Sequence, residues 1–104
     1  MSGARFGLTA PAQLAQEIRK SKFIANAASV ASEQASLEFL DRVRDAGATH
    51  NCWAWRMGQR YRFNDDGEPA GTAGKPILQA IYGQNIDNAI VVVTRWFGGI
   101  KLGA

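Results

Sequence analysis

The spacing of apolar residues changes rhythm several times along this 104-residue chain, and each change marks an element. In "QLAQEIRKSKFIANAASV" two periods compete. Leu14 and Ile18 lie four apart, as on a helix, whereas Ile24, Asn26, Ala28 and Val30 alternate with their neighbours as on a strand. The longer alternation predicts two strands with a turn near Lys20–Lys22. "SEQASLEFLDRVRDAG" has the 3.6-residue period of a helix. Ser32 is placed to cap it, Glu33 sits in the first turn, and Gly47 is placed to end it. Leu37, Phe39, Leu40 and Val43 make its apolar face, while Glu38, Asp41, Arg42 and Asp45 look outward.

"NCWAWRMGQRYRF" returns to a period of two. Trp53, Trp55 and Met57 share one strand face, and Cys52, Ala54 and Arg56 share the other. Gly58-Gln59 predicts a hairpin turn into a strand with Tyr61 and Phe63 inward. Pro76 suits a helix start, with Ile77, Leu78, Ile81 and Tyr82 on the buried side and an end near Gly83. "AIVVVTRWF" is a continuous apolar run, as in a strand covered on both faces or central in a sheet. The order β-β-α-β-β-α-β predicts an α+β domain, a mixed sheet with helices on one face.

Composition narrows the class. A hydrophobic fraction of 46% with 20% charged residues describes a globular domain, not a disordered chain. The net charge of +3 and pI near 9.4 favour an anionic partner weakly. That charge is uneven: residues 1–63 hold nine Lys/Arg against five Asp/Glu, and residues 64–104 hold three against four. One cysteine, Cys52, rules out an intrachain disulfide and fits a reducing compartment. No apolar run approaches the ~20 residues of a membrane-spanning helix, and no signal-peptide layout is present, so a cytoplasmic location is expected.

The densest chemistry lies in "DDGEPAGTAGKP", residues 65–76. A Walker loop requires wider glycine spacing and a terminal hydroxyl that holds magnesium, but here Pro76 takes that place. Glycine-rich backbone running into a helix start beside Lys75 remains either an anion site or a structural turn. Asp65, Asp66 and Glu68 lack the alternating ligands of a calcium loop and suit a turn around Gly67. His50 and Cys52 share a strand face, yet a Cys–His couple needs an orienting third group, and the chain has one His and one Cys. Aromatic residues interleave with Arg56, Arg60, Arg62, Arg95 and Lys101, a combination that suits single-stranded RNA. Arg95 interrupts a strand built for burial. It is either a ligand contact or an internal partner of Asp65, Asp66 or Glu68.

"SKFIANAASV", "ATHNCWAWRMG", "RFNDDGEPAGTAGKPIL" and "IVVVTRWFGGIKLGA" resemble, in order and spacing, the YigZ/IMPACT family from about Leu14 onward. Ala70, Trp96 and Asn51 stand where the family more often has serine, tyrosine and histidine. The start, "MSGARFG", reads as part of a flexible segment over residues 1–12, and the resemblance implies an IMPACT N-terminal-like domain at 13–104, without the helix and C-terminal domain that usually follow. It implies a left-handed β-α-β superfold like the second domain of a small-subunit ribosomal protein and domain IV of the translocation factor. Eukaryotic members compete for a ribosome-associated activator of a kinase that phosphorylates an initiation factor.

The function implied is a non-catalytic binding or regulatory module linked to translation through RNA, the ribosome or a translation-associated protein. A nucleotide-phosphate-binding enzyme is the alternative. Carried over residue by residue, the motifs give one composite site. Lys75, Arg95, Lys101, Gly71, Thr72, Gly74, Gly98 and Gly99 would receive an anionic group or partner, supported by Asp65, Asp66, Gly67 and Glu68. No catalytic residue, metal, cofactor or membrane contact is expected, and an apolar sheet face left uncovered predicts self-association.

Overall fold

The computed structural model describes residues 7–97. The last residues of the composite site, Gly98, Gly99 and Lys101, lie outside that range, as do residues 1–6 of the expected N-terminal flexible segment. Seven elements follow in the expected order: β1 (Ala12–Ile18), β2 (Ser21–Ser29), α1 (Glu33–Val43), β3 (His50–Met57), β4 (Arg60–Asn64), α2 (Gly74–Gly83) and β5 (Ala89–Trp96). The conflict of periods near the N-terminus resolves as two strands, with Arg19 and Lys20 at positive φ in the turn. Such a two-residue turn matches the twist of a hairpin.

The strands form one sheet in the order β1-β2-β5-β3-β4. Every pairing is antiparallel, so the expectation of a mixed sheet is corrected. The expectation of helices on one face is corrected too. Phe39, Leu40 and Val43 of α1 pack with Trp55, Ile90, Val92, Ala28 and Val30. Leu78 and Ile81 of α2 pack with Ala54 and Val91. Because strand side chains alternate, Trp55 and Ala54 point to opposite faces, and the helices lie on opposite sides of the sheet. The physical reason was present in "AIVVV": a strand buried on both faces needs a cover on both.

These covers define two crossovers. Strands β2 and β3 run parallel on either side of β5 and are joined through α1, while β4 and β5 run parallel on either side of β3 and are joined through α2. Their starting strands are antiparallel, they step in opposite directions across the sheet, and their helices occupy opposite faces. The two connections therefore have opposite hands. One of them is left-handed, as the resemblance implied, against the strong general preference for right-handed crossovers.

Four expected core residues sit further out, among them Tyr82 at the C-terminal turn of α2, 37% exposed beside the edge strand. Leu37 is 49% exposed, because the buried stripe of α1 runs through Ser36 and Phe39 instead. Tyr61 and Phe63 face the α2 side but remain 53% and 39% exposed, since β4 is an edge strand that α2 only partly overlaps. Helix α1 also stops at Val43, before Gly47. On the α2 side of β1 and β2, Leu14 and Ile18 are exposed.

Candidate functional site

The loop between β4 and α2 is built around Asp65. Its Oδ1 accepts hydrogen bonds from the amides of Ala73 and Gly74 at 3.1 and 2.7 Å, and its Oδ2 accepts one from Gly71 at 2.9 Å. Ala73, at the helix start, supplies no side-chain cap, so Asp65 satisfies the first turn of α2 from outside. The Gly71 amide first, with Gly74 and Ala73, holds the Asp65 carboxyl below its ordinary range. Of the two readings of this helix start, anion site or structural turn, the geometry is that of a turn capped by the protein's own carboxylate.

Close packing fixes the same loop against β4. A Cβ on Gly74 would stand 2.7 Å from the Asn64 backbone nitrogen and oxygen, so only glycine fits without displacement. Gly67 adopts φ +90 beside the His50 ring, a conformation that side chains other than glycine rarely take. Between them, Asp66 Oδ2 accepts from the Asn51 amide at 2.6 Å. His50 Nδ1–H donates to the Asp66 carbonyl oxygen at 2.6 Å. The Cys52 thiol donates to the Asp65 carbonyl oxygen at 3.1 Å. The loop is therefore stitched to the start of β3 as well as to α2.

Arg95 on β5 lies beside this assembly. Its Nη1 donates to both Glu68 carboxylate oxygens at 2.9 and 3.1 Å, which realises the internal ion pair. His50 Nε2 stands 3.8 Å from Glu68 Oε2. The guanidinium carbon lies 4.7 Å from the Phe97 ring centroid and 5.7 Å from that of Phe23. Among the described residues the buried Nε of Arg95 has no hydrogen-bond partner. Arg95, Glu68, Cys52, Thr72, Phe23 and Val93 border a pocket of about 240 Å³.

Lys75 is brought elsewhere. It lines a separate groove with Tyr61, Phe63, Leu78, Gln79 and Tyr82, whereas Thr72 and Arg95 border the first pocket. Thr72 Oγ1 donates to the Pro69 carbonyl oxygen at 2.5 Å and closes the turn. Sequence reasoning missed the part played by Asn51. Its side chain bridges the Asp45 backbone and Thr94 Oγ1, tying the end of α1 to β3 and β5. A polar residue within an apolar strand run was the available signal.

The chemistry of this arrangement is that of a clamp. Burial pushes the Cys52 thiol up to about 12, with the Glu68, Asp66 and Asp65 carboxylates acting in the same direction and Arg95 opposing. A thiol, not a thiolate, stands there at neutral pH, and nucleophilic attack requires the thiolate. Among the described residues, no group of three or more His, Cys, Asp or Glu is arranged to hold a metal ion. No described helix is long and apolar enough to cross a membrane.

The Impact N-terminal domain family matches residues 19–104. An IMPACT family member from Thermus thermophilus is 52% identical over 87 residues, covering 84% of this chain and 48% of the relative. A crystal structure of a hypothetical protein superposes with a TM-score of 0.84 at 41% identity, over 88% of this chain and 48% of the other. The two-domain translational regulator Yih1 gives a TM-score of 0.58 at 34% identity, over 88% of this chain and 37% of its own. The chain spans about half the length of its Thermus relative. A match that runs through the loop, β5 and the strands they clamp places this chain in the IMPACT family, as an Impact N-terminal domain.

Proposed function

We propose that this chain is a non-catalytic binding module in translational control, contacting the ribosome or a translation-associated protein through the surface around Arg95. The observation that carries this reading is the state of the site's polar groups. Asp65 already occupies the Gly71, Ala73 and Gly74 amides at the start of α2, the Cys52 thiol is protonated, and Glu68 holds Arg95 in one orientation. What stays accessible is a partly open pocket beside the exposed Phe97 ring, bordered by an Arg95 whose buried Nε has no hydrogen-bond partner among the described residues. That arrangement suits recognition better than bond making. The description of Yih1 as a translational regulator supports the setting. The nucleotide-phosphate enzyme is disfavoured, because the amides that would cradle a phosphate are taken.

Co-sedimentation of the purified chain with ribosomes across a salt series tests the proposal. Arg95→Gln combined with Lys101→Gln, checked for an unchanged circular dichroism spectrum, is expected to lower binding about tenfold or more. Unchanged binding would remove the Arg95 surface from the proposal. Absence of the parent chain from the ribosome pellet at low salt, and of any translation protein from a cross-linked pull-down, would overturn the module reading.

A further inference from the structure

On the other side of α2 from Arg95, the edge strand β4 carries a second surface that the loop site does not use. Tyr61 and Phe63 project from β4 toward α2, and Lys75, Gln79 and Tyr82 form a stripe along the facing side of the helix. With Leu78 they line a groove of about 350 Å³, within the usual range of ligand pockets. Three aromatic rings are substantially exposed there: Tyr61, Phe63 and Tyr82. The Tyr61 and Tyr82 rings meet edge to face with centroids 6.4 Å apart.

The Tyr82 ring is backed from behind. The Arg56 guanidinium lies 4.1 Å from the Tyr82 ring centroid. Arg56 is itself buried, donating to the Gly58 and Ile86 carbonyl oxygens at 3.0 and 3.1 Å. Exposed rings held in place cost little ordering when a flat ligand stacks on them.

Charge selects the ligand. Among the described residues no carboxylate lines the groove, and its one charged group is the exposed Lys75. Arg60 and Arg62 alternate onto the other side of the same strand, and both reach a single carboxylate, Glu33, at 3.6 and 2.8 Å. Two positive charges are in excess along this edge. A chain with planar rings on one side and regular negative charge on the other meets both demands. An extended peptide adding to the edge is disfavoured, because β4 is only five residues long and its arginines are of the kind that guard edges against strand addition.

We propose that the β4 edge and the adjoining side of α2 form a single-stranded RNA contact, with bases stacking on Tyr61, Phe63 and Tyr82 and phosphates meeting Lys75, Arg60 and Arg62. The inference rests on the translation-linked reading above and names a second surface for it. The test is fluorescence anisotropy of labelled oligouridylate with the full chain. Tyr61→Leu and Phe63→Leu keep apolar bulk and remove the ring, and each is expected to weaken binding about 5- to 100-fold. Tyr61→Trp is expected to retain it. Lys75→Gln is expected to lower the slope of log affinity against log salt by about 0.7, since one phosphate fewer is then neutralised.

RNA binding that survives both leucine variants would overturn the proposal, as would a groove that takes an extended peptide and excludes RNA. A parent chain that pellets with ribosomes yet binds no oligouridylate would overturn this surface and leave the module reading intact. Failure of both assays would overturn both.

Discussion

The two crossover helices begin in different ways. Helix α1 is started from within: Ser32 Oγ accepts the Ala35 amide at 3.1 Å, three residues on, and Glu33 lies in the first turn. Helix α2 is started from outside, by Asp65, which reaches forward six to nine residues to three amides. A local cap forms as soon as its turn forms, whereas the α2 cap exists only when the whole 65–74 loop has closed on β3 and β4. The dense motif therefore builds the crossover first and frames the Arg95 surface as a consequence.

Packing should weigh similarly on both helices. Phe39→Ala on α1 is expected to cost about 3–5 kcal/mol and Ile81→Ala on α2 about 2–5 kcal/mol, read from urea unfolding. If only one of them destabilised the fold, its helix alone would be anchoring the sheet. The contrast should emerge at the helix starts. Gly74→Ala forces a Cβ against the Asn64 backbone and is expected to cost about 1–3 kcal/mol, although alanine is the better helix former elsewhere. A gain in stability there would show that the close approach is not required.

Asp65→Asn tests the distant cap through pH. The folded carboxyl titrates below its ordinary value, so the unfolded chain binds the proton first as pH falls. The stabilisation is present above about pH 4 and is lost as pH drops through the folded value. The parent is therefore expected to lose melting temperature more steeply below about pH 4 than Asp65→Asn, and parallel acid limbs would contradict the capping role. Ser32→Ala, the local equivalent on α1, is expected to cost about 1 kcal/mol with no change in the acid limb.

Much of this was legible in the residues. The seven elements, the Gly58-Gln59 hairpin and the division of Trp53, Trp55 and Met57 from Cys52, Ala54 and Arg56 follow from period and turn chemistry. The pairing of Arg95 with one of the loop acids was among its two readings, and Glu68 is the partner. Helix placement was harder, because a period says which residues share a face but not what lies over that face. Tyr61 and Leu37 sit further out than their periods suggest for that reason. The position of Lys75 away from Arg95 was hidden similarly, since neighbours in a motif can point to opposite sides of a helix.

The amino-acid sequence by itself determined the local structure of this protein: strand and helix periods, the Ser32 cap, the glycines at turns and the family to which the motifs belong. Only the tertiary structure decided that the helices cover opposite faces, that one crossover is left-handed and that Asp65 fills the helix start that could have held an anion. Local structure depends on neighbours within a few residues, whose preferences are written in order. Covering a face, choosing a hand and satisfying a distant amide depend on which segments meet in space, and that is settled by burying both sides of β5 at once.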